Sequence, residues 1–220
     1  MKQALMIAAA LAATLAATAP AAQAGEIYAG VGLPGVMLGF AQPLNENFTL
    51  RADWATLGSH HKQTTQEGVN YDAQVGFNRV GLFADWFVSG GFRFTGGVTF
   101  NNLTADLVAR GDGVTQFNIG GRTFTSDPAD RLNVTISYPK TTPYLGLGYG
   151  HQLTEGWGFV FDLGASYGKA RVSETHSGPN LSNTAVVTQA DIDKELVELR
   201  DGAGKVQFIP QISVGFNYRF

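Results

Sequence analysis

Residues 206–220 read Val-Gln-Phe-Ile-Pro-Gln-Ile-Ser-Val-Gly-Phe-Asn-Tyr-Arg-Phe. Val206, Phe208, Pro210, Ile212, Val214, Phe216, Tyr218 and Phe220 alternate with Gln207, Ile209, Gln211, Ser213, Gly215, Asn217 and Arg219, and only Ile209 breaks the two classes. Successive side chains of a strand point to opposite faces, so the segment has one oily face and one mostly polar face. An edge strand of a soluble sheet would alternate too, but ordinary strands run about 5–6 residues. A barrel strand crossing a membrane needs about 9–11. The length therefore favours a sheet set between lipid and a polar interior.

The other end of the chain agrees. Lys2 precedes the apolar, alanine-rich run Ala4 to Ala17, followed by Pro20 and the small-residue site Ala22-Gln23-Ala24. This three-part layout predicts a secretory signal peptide over 1–24, cleaved after Ala24, with 25–220 as one barrel domain. A transmembrane anchor is the competing reading, but alanine partitions weakly into lipid and no stop-transfer pattern follows. The net charge of −3 offers no basic patch for nucleic acid, and with no cysteine the chain must be stable without disulfides. Mean hydropathy is −0.02, and no apolar run of about 18 residues lies outside the leader, which excludes a helical membrane protein. A barrel conceals its lipid face in alternation, and closure pairs every backbone group inside the lipid.

Further alternating segments run along the chain. Val36, Leu38 and Phe40 lead through the turn Pro43 to Asn47 into Phe48, Leu50, Ala52 and Trp54, with Thr49, Arg51 and Asp53 on the opposite face. Ser59 to Asn70 reads as a polar loop. From Tyr71 to Phe87 the apolar phase slips, from Tyr71, Ala73, Val75 and Phe77 to Val80, Leu82, Ala84 and Trp86, which predicts a bulge near Asn78 and Arg79. Ser89-Gly90 turns into a strand with Phe92, Phe94, Val98 and Phe100 outward and Arg93, Thr95, Thr99 and Asn101 inward. A long loop from about Val108 to Asp130 carries a small hairpin turning at Gly120-Gly121. Leu132, Val134, Ile136 and Tyr138 restore alternation ahead of the strand Tyr144 to Leu153. After Thr154-Glu155-Gly156, the strand from Trp157 to Tyr167 has Asp162 and Ser166 inside. The last long loop, about Val172 to Lys205, holds a helix over 189–201, opened by Thr188 with Asp191 and striped by Ile192, Leu196 and Leu199.

Counting from Val36 gives seven strands, whereas single-chain bacterial barrels have even numbers. The eighth must come from Gly25 to Leu33, where Ile27, Ala29, Val31 and Leu33 alternate with Tyr28, Gly30 and Gly32 and the phase changes at Pro34-Gly35. The fold predicted is all-β, a transmembrane antiparallel up-and-down barrel of eight strands with one short helix in the last long loop.

Segments such as Tyr28 to Gly32, Pro143 to Gly150, Gly156 to Phe159 and the ending Tyr218-Arg219-Phe220 resemble those of the small outer-membrane β-barrels of Gram-negative bacteria, the OmpA/OmpX-like group, and of a proteobacterial outer-membrane protein family. The resemblance covers the mature chain and implies location in the cell outer membrane. It implies lipid and lipopolysaccharide as surroundings, and a C-terminal signal of Phe216, Tyr218 and Phe220 for the barrel assembly machinery. A monomer is expected.

The lumen should hold Arg51, Asp53, Arg79, Asp85, Arg93, Asp162 and Arg219. Four arginines and three aspartates in a narrow barrel should pair, since an unpaired buried charge costs several kcal/mol. An eight-stranded barrel is filled by side chains or holds one small ligand. The function expected is therefore structural or surface-interacting with a plugged polar lumen, the alternative being a narrow, porin-like pore helped by lumen glycines. A lipid-modifying enzyme ranks below both. His60, His61, His151 and His176 lack the His-x-Ser spacing of outer-membrane deacylases, and His176-Ser177 would face apart on a strand. No catalytic, cofactor-binding or metal site is expected. His60 and His61 with Glu67 and Asp72 read as solvated rather than metal-binding, and Arg110-Gly111-Asp112 as a chance tripeptide rather than an adhesion motif. Trp54, Trp86, Phe92, Trp157 and Tyr218 read as an interfacial girdle.

Overall fold

A computed structural model of the protein describes residues 25–33, 35–66, 69–151, 155–204 and 207–220. The expected leader, 1–24, lies outside the described residues. The strands are β1 (Glu26–Leu33), β2 (Gly35–Pro43), β3 (Phe48–Gln66), β4 (Val69–Ser89), β5 (Phe92–Arg110), β6 (Gln116–Ile119), β7 (Arg122–Thr125), β8 (Arg131–Ser137), β9 (Thr141–Tyr149), β10 (Gly156–Tyr167), β11 (Arg171–Ser177) and β12 (Phe208–Arg219). One helix, α1 (Gln189–Gly204), precedes β12.

Eight strands close into a ring in the order β1-β2-β3-β4-β5-β9-β10-β12, each antiparallel to its neighbours. The segment that opened the sequence analysis is the closing stave: β12 pairs with β1 from Glu26↔Arg219 to Leu33↔Ile212, and with β10 on its other edge. Alternation sorts the two faces. Phe208, Ile212, Val214, Phe216, Tyr218 and Phe220 are exposed on the outer wall, while Gln211, Ser213, Asn217 and Arg219 are buried inside. The parity problem is resolved where the sequence placed it, since β1 and β2 are separate strands joined through residue 34 with Gly32 opposite Gly35. Gly35 sits at φ +100°, and a Cβ there would strike the Thr56 carbonyl, so this tight turn needs glycine.

Exposed aromatics ring the outer wall near the short turns: Trp86, Phe92, Trp157 and Tyr218. Trp54, Tyr167 and Phe208 stand farther along the wall, the last two with rings 5.2 Å apart. Trp157 and Tyr167 bracket β10; ten residues at about 3.3 Å each, tilted about 40°, span about 25 Å, the height of a barrel's lipid band. No described helix is long and apolar enough to cross a membrane.

Above that band the barrel is lopsided. The long strands β3, β4 and β5 continue as a wall, to which β8 and then β11 add edge to edge, Thr104↔Ser137 to Arg110↔Arg131 and Arg171↔Ser137 to Ser177↔Arg131. Strand β5 therefore pairs with β9 along its lower half and with β8 along its upper half. The β6–β7 hairpin, turned at Gly120-Gly121 as expected, and α1 pack against this wall around Ala109, Phe117, Val134, Leu181, Ile192 and Leu196. Thr188 and Asp191 form the reciprocal cap, with Asp191 N donating to Thr188 Oγ1 at 3.3 Å and Thr188 N to Asp191 Oδ2 at 2.9 Å.

Several boundaries differ from the sequence expectation, among them β9, which ends at Tyr149, and α1, which runs on to Gly204. Residues 59–66 and 69–70 are strand rather than polar loop, because β3 and β4 stay paired from Gly58↔Phe77 to Gln66↔Val69. Strand β5 likewise reaches Arg110, and Val172 lies within β11 rather than opening a loop. The predicted bulge near Asn78 and Arg79 is on the partner strand instead: the register steps between Thr56 and Gly58, leaving Leu57 as the extra residue. β4 itself keeps one phase, with Phe77, Arg79, Phe83, Asp85 and Phe87 all buried on the inner face.

Candidate functional site

Alternation on five strands delivers the charged side chains to the lumen, and all seven predicted charges are buried: Arg51 and Asp53 from β3, Arg79 and Asp85 from β4, Arg93 from β5, Asp162 from β10 and Arg219 from β12. Arg51, Arg93, Asp85 and Asp162 form a closed square. Arg51 Nε approaches Asp85 Oδ2 at 2.5 Å and its Nη2 approaches Asp162 Oδ1 at 3.1 Å. Arg93 reaches the same two carboxylates, at 3.3 Å to Asp85 and 2.6 Å to Asp162. Two cations and two anions alternate, so the charges cancel within the cluster, and the square ties β3, β4 and β5 to β10 across the barrel. Thr95 Oγ1 donates to Asp85 Oδ1 at 2.7 Å.

A second cluster lies toward the long-loop end. Arg79 Nη2 pairs with Asp53 at 2.8 Å, and its Nη1 donates to Gln211 Oε1 of β12. Gln211 Nε2 donates to Ser166 Oγ at 3.2 Å, which meets Thr99 Oγ1 at 3.0 Å; Thr99 and Thr142 hydroxyls are 2.7 Å apart, and Asn101 Nδ2 donates to Thr142 Oγ1 at 2.8 Å. Aromatic rings separate the two layers. Phe83 lies between the Arg51 and Arg79 guanidiniums, at 5.2 and 5.5 Å from its centroid, and edges against Tyr144 at 4.9 Å.

The lumen glycines take a different role from the open space expected of them. A Cβ on Gly39 would overlap the Tyr28 ring, on Gly81 or Gly97 the Phe83 ring, on Gly146 or Gly164 the Tyr144 phenol, and on Gly148 the Arg93 guanidinium. Each of these glycines makes room for a large side chain of its own strand or of the directly paired neighbour.

Glu26, His151 and Tyr28 were missing from the sequence's lumen set. His151 Nδ1 meets Glu26 Oε1, and its Nε2 lies 3.4 Å from Arg51 Nη1. Tyr28 edges against His151 with ring centroids 4.7 Å apart and hydrogen-bonds Asp53 at 3.4 Å. Glu26 shares the inward phase of Tyr28, so alternation on β1 carried its signal. His151 follows the end of β9 at φ +59°, where alternation no longer applies.

Elsewhere, His176 Nδ1 meets Glu174 Oε2 at 3.1 Å, and His176 and Ser177 are adjacent on β11 and so face apart. His60 and His61 are adjacent and exposed on β3, Glu67 lies outside the described residues, and no group of three potential ligands that could hold a metal ion occurs among the described residues. In the tripeptide 110–112, Arg110 pairs with Asp72 at 3.1 Å. Asp112 accepts from Val114 N, Thr115 N and Thr115 Oγ1 at 2.6–2.8 Å, and these bonds pull its carboxyl down to about 2. Both charged ends of the tripeptide thus have partners, Arg110 on the neighbouring strand and Asp112 in the loop that follows.

No family model matches the chain, and no curated protein sequence matches it. Solved structures do. The crystal structure of Acinetobacter baumannii CarO superposes with TM-score 0.55 over 89% of this chain and 97% of that one, at 21% identity. The chain has its fold. Acinetobacter baumannii CarO2 gives TM-score 0.55 over 90% and 98% at 19% identity. The likeness covers both the ring and the elements above it, and at these identities it concerns architecture alone.

Proposed function

We propose that the protein is an integral outer-membrane β-barrel whose lumen is closed by its own side chains and whose role is structural or surface-interacting. It enters the envelope through a signal peptide cleaved after Ala24, works as a monomer in lipid and lipopolysaccharide, and is inserted by the barrel assembly machinery reading Phe216, Tyr218 and Phe220. A ring of eight strands supports a grouping with the OmpA/OmpX-like barrels. The single observation carrying the closed lumen is that the gaps at Gly39, Gly81, Gly97, Gly146, Gly148 and Gly164 are occupied by the rings of Tyr28, Phe83 and Tyr144 and the Arg93 guanidinium. A pore would need those gaps empty, and here they are packed around two charge-balanced clusters. Paired, desolvated charges also offer a permeating ion no free ligand.

Planar-bilayer recording of the refolded chain 25–220 tests this, with a heat-modifiable gel shift confirming the folded barrel. A silent bilayer is expected. Reproducible single-channel steps would replace the closed barrel with a narrow pore. For the assembly signal, Phe216→Asp or deletion of Phe220 should lower the amount of folded barrel in outer membranes, and wild-type amounts of both variants would remove that role from β12.

A further inference from the structure

Between the wall above the membrane band and the elements packed on it lies a cavity of about 180 Å³. Its body is apolar, formed by Leu107, Leu132, Phe117, Leu181, Ile192 and Leu196. The polar part of the lining is two carboxylates, Glu174 of β11 and Glu195 of α1, with the His176 imidazole and the Asn118 amide, and it includes no lysine or arginine. Each carboxylate spends one oxygen locally among the described residues: Glu174 Oε2 on His176 Nδ1 at 3.1 Å, and Glu195 Oε2 on the Gly120 N–H at 3.1 Å. The Glu174 side chain is only 12% exposed, so water screens it poorly. A carboxylate beside an apolar cavity is a costly arrangement that a cation inside the cavity would relieve.

From this combination we propose that the cavity is a binding site for a small organic cation, a primary ammonium carried on an apolar body about the size of one ring. The volume suits it, since cavities of about 150 Å³ admit benzene. The ring would lie among Leu181, Ile192 and Leu196, and the ammonium would donate to the second oxygens of Glu174 and Glu195. Anions are repelled by the same two groups, and neutral analogues of equal shape gain the apolar contact without the charged hydrogen bonds. The site is separate from the lumen, so it stands whether or not the barrel conducts.

The test uses the refolded full mature chain in micelles, with protein-free micelles as the blank. Benzylammonium, benzyl alcohol and benzoate are titrated by calorimetry and by saturation-transfer NMR. Saturable binding of benzylammonium is expected, about tenfold tighter than benzyl alcohol because of its charge-assisted hydrogen bonds, with benzoate weakest. The double variant Glu174→Gln and Glu195→Gln keeps both local hydrogen-bond acceptors and should erase the preference for the cation. Ile192→Trp, which fills the cavity, should abolish binding while the gel shift of the barrel remains. The proposal is overturned by absence of saturable benzylammonium binding, by equal binding of the alcohol or the benzoate, or by a cation preference that survives the double variant.

Discussion

Strand β5 passes through two regions of opposite polarity without changing phase. In the lower region its inner face carries Arg93, Thr95, Thr99 and Asn101, all buried, and its outer face exposes Phe92, Phe94, Val98 and Phe100. In the upper region the same inner face presents Leu107 and Ala109 to an apolar core, and Asp106 and Arg110 lie on the other side. The inner face of β4 instead mixes rings and charges throughout, with Phe77, Arg79, Phe83, Asp85 and Phe87 all buried. The barrel is polar inside and oily outside because lipid surrounds it; the extension is oily inside because water does. The reversal along β5 predicts that the two regions are held by different forces.

The largest effect should come from the lower region. Asp162→Ala leaves Arg51 and Arg93 buried with one carboxylate between them, and should cost about 3–5 kcal/mol, read as a lower urea midpoint of the folded-barrel gel band. A neutral result would mean that water already reaches the square. In the upper region, Leu181→Ala removes a side chain 2% exposed and should cost about 2–5 kcal/mol. The loss should be local, with faster amide exchange in α1 and β6 and an unchanged barrel midpoint; a shift of that midpoint would join the two regions into one cooperative unit. Thr188→Ala removes half of the reciprocal cap and should cost about 1 kcal/mol, visible as faster exchange at the start of α1. The smallest effect concerns pH. The Asp112 carboxyl is held at about 2, below its unfolded value of about 3.9. Its contribution to the 110–115 loop is complete above the unfolded value and is lost as pH falls toward 2, so exchange at Val114 and Thr115 should accelerate over that window beyond its intrinsic pH dependence.

This reversal also explains which features could be read in the sequence. Within the lipid band the outside is oily throughout and the inside mostly polar, and that alternation placed the staves, the eighth strand at Ile27 to Leu33 and the inward-facing charges. Above the band the rule inverts. A phase change at Phe77 then looked like a backbone bulge, and the polar residues of 59–66 and 69–70 looked like a loop although they continue the paired strands. The register step at Leu57 left no alternation signal of its own, because both faces of β3 are wet there. The partners of the lumen charges were illegible for another reason. Which arginine meets which aspartate depends on the tilt and stagger of strands far apart in sequence, as with Arg51 and Asp162. The lumen glycines show only that space exists near the backbone, and identifying Phe83 or Tyr144 as its occupant required the side-chain orientation along and between neighbouring strands.

Hydrogen exchange at the arginine side chains of the refolded barrel, followed in ¹H–¹⁵N spectra, reports whether the lumen is packed. The guanidinium protons of Arg51, Arg79 and Arg93, which are 5% exposed or less, should give persistent, slowly exchanging signals, assigned by single Arg→Lys variants. Rapid exchange of all three with water, at the rate of an exposed arginine such as Arg200, would mean a water-filled lumen and would contradict the closed barrel.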